Sequence, residues 1–225
     1  MQHTMKALRL TEIGSPLTEQ ELPVPSPAYG EVLVRVRAAG VCHSDAHYRN
    51  GTAPPPSLPL TPGHEVAGII EAVGAGVDTR SVGDRVALHY LTSCRSCRFC
   101  IAGAEQFCAD AEMIGKSRDG GFAELIAVPA FNAVPVPDSV SLEWAAVMMC
   151  STSTSYHAIR RSRFAPGERA AVFGCGGLGL SAVQLLSASG AREVFAVDLD
   201  PARLSLAERF GAMPIDAGKS DPVAE

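Results

Sequence analysis

The sequence predicts a mixed fold: a β-rich, barrel-like domain over residues 1–151, then an incomplete α/β domain with a parallel sheet over residues 152–225. Three observations carry this expectation. Before residue 140, short apolar runs are parted by Gly and Pro at close intervals, the pattern of a small barrel of short strands. After Cys150 the pattern becomes strand, helix, strand, helix, which opens a βαβ unit. Thiols and imidazoles crowd the first part, whereas the second carries a glycine-rich turn.

Residues 6–10 and 17–22 read as strands broken by Gly14, Ser15 and Pro16, and Pro23, Pro25 and Pro27 then keep the chain extended. In residues 32–39, Val32, Val34 and Val36 alternate with Arg35 and Arg37, so a half-buried strand is expected. Five prolines between residues 53 and 62 make a stiff spacer. Strand patterns return at 66–73, 82–89, 122–128 and 134–137. Ser141 caps a helix reaching Met149, its start favoured by Glu143. Residues 151–163 form a helical connection; strands follow at 168–173 and 194–197, and helices at 177–189 and 201–210. Asp200 is the expected N-cap of the last helix, and a third strand begins near Met213. On so narrow a sheet, Leu178, Leu180, Val183, Leu185, Leu186, Leu204 and Leu206 should leave a contiguous apolar patch.

Composition excludes several classes of function. The 225 residues are 47% hydrophobic and 19% charged, as in ordinary globular proteins. A net charge of −5 offers nucleic acid or an anionic membrane no electrostatic footing. No uncharged apolar run reaches the ~18 residues of a membrane helix, and residues 1–10 lack the apolar core of a signal peptide. Seven cysteines then point to metal or catalysis rather than disulfides, with cytoplasm the expected setting.

Two groups of soft ligands stand out. Cys42 follows the strand at 32–39 and sits among His43, Ser44, Asp45 and His47. Taken alone it would be an inert buried thiol. With His64, framed by Gly63 and Glu65, and with Cys150, it completes the Cys2His set of catalytic zinc sites, which leave a fourth position open. Cys94, Cys97, Cys100 and Cys108 form the second group, spaced by two, two and seven residues, as in closed structural zinc sites. An iron–sulfur cluster is the alternative for four thiolates. Only Phe99, Ile101 and Phe107 could build a core there, so a metal contributing ~10–16 kcal/mol would decide whether the lobe folds. Charge separates the two groups. Four thiolates leave Zn²⁺ at a net −2, whereas two thiolates and a neutral imidazole leave it at zero and electrophilic.

Gly174, Gly176 and Gly179 match G-x-G-x-x-G after a strand, with Gly177 and Leu178 opening the helix. Asp198 ends the next strand, 24 residues beyond Gly174. Such glycines let a pyrophosphate approach the helix N-terminus, and such a carboxylate accepts from ribose hydroxyls and repels a 2′-phosphate, favouring NAD over NADP. Cys175 is read as a small turn residue.

With these residues in place, the chain resembles the zinc-dependent alcohol dehydrogenases of the medium-chain dehydrogenase/reductase superfamily. The run Gly63, His64, Glu65, Gly68, Gly74, Val77 fits that family's zinc signature, and the four-cysteine spacing fits its lobe. The resemblance implies a GroES-like catalytic domain and a C-terminally truncated Rossmann domain. It implies catalytic zinc on Cys42, His64 and Cys150, with Glu65 close by and Asp45 orienting His64 from behind. Ser44 and His47 would form a proton relay, His43 would lie near the cofactor phosphates, Thr154 beside the nicotinamide, and Tyr90 along the substrate pocket. It further implies hydride transfer between NAD and an alcohol, aldehyde or ketone, by a homo-oligomer in the full-length parent. The rival expectation is a non-catalytic zinc-binding subunit with idle motifs.

Replacing Asp198 with Ala should lower the preference for NAD over NADP, read as the ratio of kcat/KM for the two cofactors. A native preference for NADP would contradict the Asp198 reading.

Overall fold

The structure, a computed structural model, describes residues 3–224. It divides into two compact units, Met1–Cys150 and Ser151–Glu225.

The first unit opens with the antiparallel hairpin β1 (Thr4–Arg9) and β2 (Thr18–Pro23). There follow β3 (Glu31–Gly40), α1 (His43–Asn50), β4 (Glu65–Val73), β5 (Arg85–Leu88), β6 (Leu91–Thr92), α2 (Arg98–Ile101), β7 (Glu112–Met113), β8 (Leu125–Pro129), β9 (Ala133–Pro135) and α3 (Leu142–Val147). The main sheet is antiparallel in the order β8-β3-β4-β5-β9. Its core is mostly β-branched and tight: Val32, Val34, Val66, Ile70, Val86, Leu88, Ile126 and Val128 are buried together.

Strand β3 departs from the half-buried expectation. Leu33 is buried too, because it packs with Met5 and Leu125 in a second apolar cluster on the other face. Arg35 remains at the surface by pairing with Glu71. Gly68 shows why the glycine spacing near the ligands matters: a Cβ there would overlap the Arg35 carbonyl of the paired strand. Other boundaries also moved. The strand expected at 82–89 begins at Arg85, because residues 81–84 form a turn in which Asp84 Oδ2 accepts from Ser81 N at 2.8 Å. The strand expected from 122 begins at Leu125, because Gly121 N and Phe122 N instead donate to the carbonyls of Gly63 and Pro62, at 2.8 and 3.0 Å. Helix α1 was not expected, since its eight residues bury only Asp45 and Tyr48 and show no apolar stripe. Ser141 caps α3 as expected, its Oγ accepting from Trp144 N at 3.3 Å, but the α-helix ends at Val147 and continues as a π-helical turn, Met148–Thr152.

The second unit holds α4 (Ser153–Ser162), β10 (Arg169–Phe173), α5 (Gly177–Ala188), β11 (Glu193–Asp198), α6 (Pro201–Arg209) and β12 (Met213–Asp216). Its three strands are parallel in the order β10-β11-β12. Of the seven side chains expected to form an apolar patch on α5 and α6, three are buried and Leu180 and Leu185 are half-buried. Val183, Leu186 and Leu204 are buried with Val194, Ala196, Ala207 and Ala212, because each helix turns one face onto the strands. Leu178 and Leu206 are the members of that set left well exposed. Among the described residues, no helix is long and apolar enough to cross a membrane.

Ile70 is 1% exposed within the first unit's core. Ile70→Ala should lower unfolding stability by about 2–5 kcal/mol, measured as a fall in the urea midpoint with unchanged slope.

Candidate metal centre and cofactor loop

Three separate segments bring soft ligands together. Cys42 is the N-cap of α1, with extended backbone at φ −99° and ψ 157°. Free N–H groups at a helix N-terminus favour a thiolate there. His64 immediately precedes β4 and is 3% exposed. Cys150 lies in the π-helical turn, a local widening often found at functional sites. The ligand atoms of Cys42, His64, Glu65 and Cys150 all lie within 4.8 Å of one another. The two sulfurs are 3.9 Å apart, close to the edge of about 3.8 Å in a tetrahedron built on Zn–S bonds of about 2.3 Å. Gly40 makes room for this cluster, since a Cβ there would run into the Glu65 carboxylate.

Asp45 ties the ligand segments to each other. Its Oδ2 accepts from Cys42 N at 2.9 Å, and its Oδ1 accepts from Gly63 N at 3.3 Å. The same Oδ1 lies 3.4 Å from His64 Nδ1. That is long for a hydrogen bond, and no other partner meets this buried nitrogen among the described residues.

The electrostatics suit a bound cation. Hydrogen bonding by Cys150, then by His64, pulls the Cys42 thiol down to about 3. The same pairing with Cys42, with burial added, pushes Cys150 up. Burial disfavours charge on His64, but Asp45 and Cys42 outweigh it and raise the imidazole to about 9. Burial, then the neighbouring Cys42, raises the Glu65 carboxyl.

The four remaining ligand cysteines gather in a lobe around α2, whose N-cap is Cys97. Sulfur separations are 3.5 Å for Cys97 and Cys100, 3.6 Å for Cys108 and Cys94, and 3.9 Å for Cys94 and Cys100, again tetrahedral edges. Ile101 and Phe107 are 77% and 62% exposed, so little apolar burial holds this lobe together. Backbone donation from Ser96 leads in lowering Cys94 to about 6, while burial leads in raising Cys100 to about 11.

In the second unit, Gly174 has φ 87°, a left-handed conformation that favours glycine, and Gly176 is the N-cap of α5. Gly179 must lack a Cβ, which would overlap the Gly174 carbonyl. Asp198 Oδ2 accepts from Cys175 N at 2.6 Å, and Oδ1 accepts from Leu199 N and Asp200 N at 2.8 and 2.9 Å. These bonds, the one from Cys175 foremost, hold the carboxyl below its ordinary range. Asp198 thus braces the glycine turn against the end of β11. Gly177 and Leu178 form the first turn of α5, with Leu178 52% exposed.

The alcohol dehydrogenase GroES-like domain matches residues 28–138. An alcohol dehydrogenase of Geobacillus stearothermophilus is 44% identical over 223 residues, 98% of this chain and 66% of that protein. An NAD-dependent alcohol dehydrogenase of Sulfurisphaera tokodaii is 38% identical over 231 residues, 98% of this chain and 67% of that protein. The chain belongs to the zinc-dependent alcohol dehydrogenase family. It spans about two thirds of the length of the curated relatives it matches. A solved cobalt- and zinc-bound thermostable alcohol dehydrogenase from Pyrobaculum aerophilum superposes at a TM-score of 0.88 and 35% identity, over 94% of this chain and 65% of that one.

The other residues expected from the alcohol dehydrogenase resemblance are distributed as follows. Ser44 Oγ is 3.8 Å from Cys42 Sγ. The His47 ring stands edge-on to that of His43 at 4.8 Å, with His47 half-buried and His43 exposed. Thr154 is exposed on α4, in the other unit. The Tyr90 ring meets His64 edge-on at 5.8 Å and stacks on His89 at 5.4 Å. Sequence reasoning missed Tyr48, which is 5% exposed with its ring 6.5 Å from His64. Its signal was the i, i+3 spacing from Asp45, which puts both on the inner face of α1.

Asp45→Ala in this alcohol dehydrogenase family member should weaken zinc binding at the Cys42 cluster by about 10–100-fold. Chelator competition resolves it from the lobe, whose affinity should not change.

Proposed function

We propose that this chain is the zinc- and NAD-binding part of an alcohol dehydrogenase that moves hydride between NAD and an alcohol, or the corresponding aldehyde or ketone. The observation that carries the reading is the convergence of Cys42, His64, Cys150 and Glu65 within 4.8 Å, with Asp45 bonded behind them. In this reading residues 1–151 form the catalytic domain and residues 152–225 the partial NAD-binding domain.

Zinc, held by Cys42, His64 and Cys150, would draw electron density from the substrate oxygen, and NAD would take the hydride. The protein's own residues do the rest. Asp45 fixes the Cys42 and His64 segments, so the ligands are arranged before substrate arrives. Glu65 supplies a buried carboxylate beside the open position. Ser44 Oγ would accept the alcohol's proton as its own hydroxyl proton passes on to the half-buried His47 ring, which releases it towards solvent. The glycine turn at Gly174, Gly176 and Gly179 admits the pyrophosphate at the start of α5, with Gly177 and Leu178 beside it. Asp198 meets the ribose hydroxyls while its backbone bonds hold the turn in place. His43 and Thr154 serve the phosphates and the nicotinamide. The lobe cysteines would hold a second zinc, closed to substrate, that stabilises the fold. All seven cysteines are free, which suits a reducing, cytoplasmic setting.

Cys42→Ala and His64→Ala should each abolish alcohol-dependent NADH formation while NAD binding by calorimetry persists. Metal analysis should find about one zinc per chain in place of about two. A variant that keeps its turnover and both zincs would overturn the assignment.

A further inference from the structure

Asn132 ends a 3-10 turn, Ala130–Asn132, between β8 and β9, and is completely buried. Its Nδ2 donates to the His89 carbonyl at 2.6 Å and to the Leu91 carbonyl at 2.7 Å. Its own backbone carbonyl accepts from His89 N at 2.8 Å. The carbonyl in between, that of Tyr90, accepts from Ile114 N at 2.9 Å. Every carbonyl of the segment from His89 to Leu91 is therefore held, two of them by one side-chain amide.

The chemistry demands asparagine here. Two carbonyl oxygens face the side chain, so it must present two N–H groups from one atom without carrying a buried charge. A reversed amide would set oxygen against oxygen twice, which fixes the orientation. A hydroxyl offers one donor, and an ionised carboxylate offers none. Among the described residues, Oδ1 meets no donor, so the amide's acceptor is sacrificed to satisfy its two donor contacts.

The segment so held carries the aromatic wall next to the proposed metal ligand. Tyr90 lies edge-on to His64 at 5.8 Å. His89 stacks on Tyr90 with an interplanar angle of 16°, and His89 Nδ1 is 3.2 Å from the same Leu91 carbonyl that Asn132 binds. A change in the clamp therefore reaches both rings. We infer that Asn132 is a positioning residue for substrate selection: by fixing His89 to Leu91 it sets where the Tyr90 ring stands beside His64, and so how bulky an alcohol the site admits. The inference rests on the alcohol dehydrogenase reading above.

The test uses the zinc-loaded chain with Asn132→Leu, which is close in size and removes both donors. Asn132→Ser, which keeps one donor, serves if the first variant does not fold. Zinc content should not change. The kcat/KM ratio for a bulky aromatic alcohol over a short aliphatic one should shift about tenfold, carried by KM rather than kcat. Adding Tyr90→Ala should produce no further shift beyond Tyr90→Ala alone, because both substitutions act on one wall. The nuclear Overhauser contact between the Tyr90 and His64 rings should weaken, and the Ile114 amide should exchange faster. Equal losses for both alcohols, strict additivity with Tyr90→Ala, or an unchanged Tyr90–His64 contact would each overturn the inference. If the unsubstituted chain oxidised no alcohol, the alcohol dehydrogenase reading would fall, and the ring contact alone would decide whether Asn132 positions Tyr90.

Discussion

One buried carboxylate arranges the candidate metal centre. Asp45 is 7% exposed, and a carboxylate taken that far from water must find donors. It finds them on two different segments: the amide of Cys42 at the start of α1 and the amide of Gly63 just before β4. Satisfying Asp45 therefore brings a thiol and an imidazole from distant parts of the chain into one space. The backbone around His64 is gripped from the other side as well, where Gly120 N, Gly121 N and Phe122 N donate to the carbonyls of residues 61–63. His64 thus has little freedom before any ion binds, which is the preorganisation a reactive site requires.

The two sulfur-rich clusters solve different problems. The Cys42 cluster is framed by a sheet whose core would exist without it, so its ligands can be spent on chemistry. The lobe has the reverse character. Its apolar side chains Ile101 and Phe107 face solvent, and its sulfurs sit at tetrahedral distances with little packing behind them. A closed metal site there would replace the core that the lobe lacks.

In the second unit the glycine turn is likewise held by a carboxylate. Three backbone amides converge on Asp198, one of them from the turn itself. Removing that side chain would loosen the turn as well as change what meets a ribose. The buried Cys175 sits against the α5 and α6 core, consistent with a small residue filling the turn.

The candidate ligand residues were legible in the sequence because each one sits in a short pattern of its own, although the structure gathers Cys42, His64 and Cys150 from three separate segments. Cysteines two residues apart, a histidine between glycine and glutamate, and glycines opening a helix are patterns set by short-range geometry. Strand and helix order was legible for the same reason, through hydrophobic periodicity. Helix α1 escaped because its inner face is a carboxylate and a tyrosine rather than an apolar stripe. The burial of Leu33, the inward turn of Val183, Leu186 and Leu204, and the π-helical turn at Cys150 escaped because each depends on what packs opposite. Asn132 is the clearest case: nothing near it in the chain marks it, and its role arises from two carbonyls some forty residues away. The sequence by itself determined which atoms could bind metal and cofactor. Only the tertiary structure decided how those atoms are held, because buried polar groups take their partners from whichever segment folding brings within reach.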